Sequence, residues 1–188
     1  MIQTVPLADL WLPILLSAVF VFIASNIIHM VLGYHKGDYG KVPREGDVMD
    51  ALRPFAIPPG DYMMPRADSM ADMKSPEFKA KRAKGPVAMM TIMSSDFNMG
   101  VTLGTWFLYC VVVSIFGAYI GGRALPKGTD YLRVFQIVGC VTYMGYALAL
   151  WQNSIWYKKS MGTLIRQNID GLIYGLLTAG TFGWLWPK

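Results

Sequence analysis

The chain has 188 residues, 54% hydrophobic and 13% aromatic, with 17 Lys and Arg against 12 Asp and Glu. So apolar a composition does not suit one soluble domain, and the apolar residues are gathered in blocks rather than alternated. The net charge of +5 does not by itself indicate nucleic acid, because in such a chain the placement of Lys and Arg matters more than their total.

Four blocks, at about 11–34, 100–122, 131–157 and 169–187, are long enough to cross a hydrocarbon core of ~30 Å, which takes about 20 helical residues. They predict an all-α membrane protein: one integral membrane domain over 1–188, built as a four-transmembrane-helix bundle. No Lys or Arg precedes the first block and no small-residue cleavage site follows it, so it is expected to remain as an anchor. Pro13 stands early in it, where a missing donor costs least, and Gly33 ends it.

A loop of about 65 residues, 35–99, comes next. It predicts short helices at about 45–53, stopped by Pro54, and at about 75–84, opened by Ser75 and Pro76 and stopped by Gly85-Pro86. Residues 87–93 are apolar but too short to span; an interfacial stretch and a strand packed on the loop are both open readings. Lys79, Lys81, Arg82 and Lys84 form a basic run suited to an anionic lipid surface, at ~1 kcal/mol per charge. The loop's nine acidic residues nearly balance its basic ones, which argues against nucleic acid.

An even number of spans places both termini and the 123–130 turn on one side. The other side collects 13 of the 17 Lys and Arg, so the positive-inside rule predicts periplasmic termini and a cytoplasmic loop. Trp11, Tyr34, Trp151, Trp156, Tyr157, Trp184 and Trp186 stand at span ends, where aromatic residues favour the headgroup region. Small residues recur four apart at Gly100/Gly104, Gly117/Gly121, Gly171/Gly175 and Ala179/Gly183, and such positions let helices approach closely in lipid. The second and fourth helices are the expected packing partners.

Ionisable groups inside a bilayer are functional suspects, and the middles of all four spans lack them, which argues against a proton pump or a charge-coupled transporter. The polar residues near one end, Asn26, His29, Gln152, Asn153, Arg166 and Asp170, form a candidate cluster, with Arg166 and Asp170 expected to pair at i, i+4. His29, with Asn26 beside it, is the candidate ligand for a haem or bacteriochlorophyll. His35, six residues on, is expected to point elsewhere, nearer water.

Eight of the 13 Met fall between 63 and 99. Met70 and Met73 have a spacing compatible with Cu(I), although adaptable contact surface is the favoured use of such residues. No Ser-His-Asp order, phosphate loop, HExxH or paired CxxC is present. Hence no enzyme activity and no resident cofactor are predicted.

The stretches Ser25-Asn-Ile-Ile-His-Met30, Trp151-Gln-Asn-Ser-Ile-Trp-Tyr-Lys158 and the run from Asp170 to Pro187 resemble those of a group of bacterial four-span membrane proteins with no assigned activity. The resemblance covers most of the chain and implies the bacterial inner membrane. Together these readings predict a non-catalytic accessory or scaffold subunit of a respiratory or photosynthetic membrane complex, in contact with other subunits and lipid. The alternatives are a pigment-binding protein through His29 and a Met-rich metal or small-molecule carrier.

Overall fold

A computed structural model describes residues 4–188. The chain divides into two compact units, Lys41–Phe97 and the remainder up to Gly40 with Asn98–Lys188. The larger unit is helical. Its first long helix, α1 (Trp11–Asn26), is preceded by a tight turn at Leu7–Leu10 and continues into a π turn at Ile27–Val31.

The smaller unit holds α2 (Glu45–Leu52), β1 (Gly60–Met64), α3 (Met70–Lys74), α4 (Pro76–Lys84) and β2 (Ala88–Ile92). β1 and β2 pair antiparallel, with Tyr62 opposite Met90 and Met63 opposite Met89. The apolar run at 87–93 is therefore mostly a strand of a two-stranded antiparallel sheet. Ser75 caps α4 by accepting the Phe78 N–H at 3.1 Å, with Pro76 as first helical residue.

Back in the larger unit come α5 (Met99–Ala124), α6 (Tyr131–Tyr146), α7 (Trp151–Tyr157) and α8 (Met161–Trp184). Asn98 caps α5 and Asp130 caps α6 through their side-chain oxygens. Three helical stretches, Leu7–Val31, Met99–Ala124 and Tyr131–Tyr157, are long and apolar enough to cross a membrane, and they mark a membrane protein. α8 has comparable length but contains Arg166 and Asp170 and is less apolar.

The four long helices α1, α5, α6 and α8 pack as a ring in which α1 meets α5 and α8, and α6 meets α5 and α8. α5 and α8, the second and fourth, thus lie across the ring and are not the packing partners expected from their glycines. Those glycines serve other neighbours: a Cβ on Gly117 would meet the Thr142 side chain at 2.9 Å, and one on Gly171 would meet Ala147 Cβ at 2.4 Å.

One core cluster joins Val5, Leu10, Ile14, Ala118, Leu125, Val134, Val138, Phe182 and Trp186; a second joins Ala18, Val21, Ile28, Cys110, Val113, Tyr146 and Tyr174. A buried Ser17–Ser114 hydrogen bond of 3.0 Å also links α1 to α5. Trp186, expected as an interfacial marker, is buried instead, and its indole N–H donates to Pro126 O at 3.0 Å. Burying that ring at the end of the ring of helices removes more apolar surface from water than leaving it among headgroups.

Candidate functional site at the polar end of the bundle

The end of α1 determines which groups can meet. In the π turn the Leu32 N–H reaches back five residues to Ile27 O at 3.1 Å, a widening of the helix that recurs at functional sites. Gly33 then takes φ +61, the left-handed conformation that ends helices and that glycine adopts without a Cβ penalty. The chain reverses there, and Tyr34, His35 and Asp38 fold back toward the side chains of α8.

This reversal corrects the expected place of His35. Its ring lies on that of His29, with centroids 4.2 Å apart and planes at 31°, instead of pointing away toward water. The spacing leaves no room for a macrocycle between the rings, so the pair is not a trans bis-histidine haem set. Asn26, expected as a second polar contact at such a cofactor, donates to Phe22 O of its own helix at 2.7 Å. A mid-helix Asn commonly satisfies itself in this way.

Arg166 and Asp170 also differ from expectation, since they do not pair with each other. Arg166 reaches Asp38 Oδ1 with Nε at 2.6 Å and Nη2 at 2.5 Å. Asp38 Oδ2 is 2.7 Å from His35 Nδ1. Asp170 takes the Tyr34 O–H on Oδ1 at 2.9 Å, and its Oδ2 lies 2.8 Å from His35 Nε2. The Tyr34 hydroxyl is also 2.9 Å from Arg166 O.

These groups are well shielded, with side-chain exposures of 11% for His35, 10% for Asp38 and 4% for Asp170. Burial pushes the Asp38 carboxyl up, but the hydrogen bonds from His35 and Arg166, with the Arg166 charge, outweigh it and hold the group below its usual range. Burial and then the bond to Asp170 push the Tyr34 hydroxyl up to about 12, so it stays a neutral donor.

His29 is exposed, and its Nε2 is 3.5 Å from the Tyr174 hydroxyl. Tyr174 belongs to an edge-to-face aromatic cluster in which its ring lies 5.5 Å from Tyr146 and 5.9 Å from Trp106. Trp106 in turn donates to Ser25 Oγ at 2.8 Å.

Of the six polar candidates, the structure brings together His29, Arg166 and Asp170. No side-chain hydrogen bond joins Gln152 or Asn153 to them among the described residues; both sit on α7, set off from α6 by the tight turn at Leu148–Leu150. Tyr34, His35, Asp38 and Tyr174 are the members that sequence reasoning missed, and Gly33 was the signal that would have folded the first three inward.

The Lys79, Lys81, Arg82 and Lys84 side chains are exposed on α4. Met70 and Met73 are exposed on α3, one turn apart. His29, His35 and Asp170 each offer a ligand atom, and these atoms lie within 4.8 Å of one another. The chain matches no protein-family model, no curated protein and no solved structure.

Proposed function

We propose that the chain is a four-span protein of the bacterial inner membrane, with periplasmic termini and its basic loop in the cytoplasm, acting as a non-catalytic accessory subunit of an energy-transducing complex. The observation that carries the partner reading is an unused seam on α5. The glycines at 117, 121, 171, 175 and 183 all face close neighbours inside the ring, whereas a Cβ on Gly104 would meet nothing within 4 Å and one on Gly100 only the adjacent Asn98 side chain. Val101 and Leu108 beside them are exposed, and the span of α5 is the least buried of the three apolar ones.

Close backbone approach at small residues is what associates helices in lipid. A seam left open by one chain therefore suits a helix of another subunit. The asymmetry of Lys and Arg supports the orientation, and α8 completes the fourth crossing by keeping its charged residues at the end that meets the polar cluster.

The test is purification from native membranes in mild detergent, for the wild type and for Gly104→Leu. A stoichiometric membrane partner that is retained by the wild type and lost from the variant is the expected result. A wild-type particle with the mass of the lone chain and its detergent would overturn the reading.

A further inference from the structure

We infer that His29, His35 and Asp170 form a binding site for one divalent first-row transition-metal ion, with Asp38 and Arg166 as its outer support. This goes beyond the subunit reading and stands whether or not a partner exists.

The argument begins with the contact between His35 and Asp170. Asp38 Oδ2 engages Nδ1 of His35 at 2.7 Å, which leaves Nε2 facing Asp170 Oδ2, 2.8 Å away. The nitrogen is also fully enclosed and has no hydrogen-bond partner, a costly state for a buried polar atom. A cation shared by Nε2 and Oδ2 supplies that partner.

The spacing suits it. Ligands about 2.1 Å from an ion and at right angles lie about 3.0 Å apart, close to the separation seen. His29 supplies the third ligand. All three donor atoms fall within 4.8 Å of one another, and His29 is the exposed member, with room to turn toward the other two.

The surroundings have the character of a metal site's outer shell. A metal-bound imidazole almost always donates its other N–H to a carboxylate, which fixes the tautomer and raises the basicity of the ligand. Here Asp38 fills that role and is itself held by Arg166, while Tyr34 orients Asp170. The two carboxylates and one guanidinium leave a net charge of −1 before the ion arrives.

Two imidazoles and one carboxylate favour Zn²⁺, Fe²⁺ or Mn²⁺ over Ca²⁺ or Mg²⁺, which prefer oxygen ligands, and over Cu(I), which prefers sulfur. Three protein ligands leave at least one coordination position for water or a small ligand.

The site is tested on the full-length protein in mild detergent, stripped with a chelator and then titrated separately with Zn²⁺ and Co²⁺. Bound metal is measured by equilibrium dialysis with elemental analysis, and the Co²⁺ form by its visible absorption. The expected result is about one equivalent bound, with Co²⁺ bands of a nitrogen and oxygen site.

His29→Ala removes an exposed side chain and leaves the fold in place, as circular dichroism will check; it is expected to weaken binding more than about tenfold. Asp38→Asn is expected to cost about 10- to 100-fold as an outer-shell change. Gln152→Ala is expected to change nothing. Wild-type protein that binds less than about 0.1 equivalent, or a His29→Ala variant that binds as the wild type does, would overturn the proposal.

Discussion

At one end of the helix ring, Val5, Leu10, Leu125 and Trp186 bury apolar surface together, and backbone groups close the gaps: Val5 N donates to Gly122 O and Gly128 N to Pro187 O, both at 2.8 Å. At the other end Arg166, Asp38, His35, Asp170 and Tyr34 fill the same kind of space with charge and hydrogen bonds. Packing at the first end gains from every methylene removed from water. The second end must first overcome the desolvation of two carboxylates, and replacing such a network with apolar residues is often neutral or stabilising. An arrangement that stability alone does not favour is better explained by what it can hold.

The contrast predicts that single truncations cost most at the polar end. Arg166→Ala leaves Asp38 shielded with only His35 as partner, and breaking a buried pair in this way is destabilising by about 3 kcal/mol. The Arg166 side chain is 26% exposed, so solvent recovers only part of that. Chemical unfolding in detergent measures it.

A pH series on the same pair of proteins gives the sign. Because the folded Asp38 carboxyl lies below its ordinary range, its contribution is fully present above the unfolded pKa of about 3.9 and is lost as pH falls through the folded value. The wild type should therefore lose stability below about pH 4, and Arg166→Ala should show a flatter acid limb. Equal costs at both ends and parallel acid limbs would erase the distinction between them.

The apolar end should respond to volume instead of charge. A Cβ on Gly122 would stand 2.6 Å from Val5 O, a backbone atom that cannot rotate aside. Gly122→Ala should then destabilise by about 2 kcal/mol, as overpacking does, with no change in the acid limb. A thermal melt unchanged from wild type would mean that the segment around Val5 is not held against α5.

How much of this could be read beforehand differs between the same two ends. Spans follow from run length, so the three apolar helices needed only the blocks of hydrophobic residues. Arg166 and Asp170 stood out because charge is conspicuous beside a span. Their true partners did not, because Asp38 and His35 are distant in sequence and reach α8 only through the π turn at Ile27–Val31 and the left-handed Gly33.

Periodicity arguments extend a helix straight on, which is why His35 was expected away from His29. Asn26, Gln152 and Asn153 were selected on polarity alone, a property that a side chain can satisfy on its own helix. Which face of α5 meets which neighbour depends on ring order, and four-residue glycine spacing carries no information about that.

The smallest effect tests whether charge matters wherever it occurs or only where it is enclosed. Lys127 Nζ lies 2.7 Å from Asp9 Oδ2, a distance as short as those in the polar cluster, but the side chains are 46% and 37% exposed. Water already solvates both groups, and the entropy of holding a long Lys side chain offsets much of the attraction, so such pairs contribute about 0.5 kcal/mol. Lys127→Ala should shift unfolding by no more than that, and raising the salt concentration should abolish the difference. A loss near that of Arg166→Ala would show that distance, not enclosure, sets the strength of these pairs, and the polar end would then have no special claim as a site.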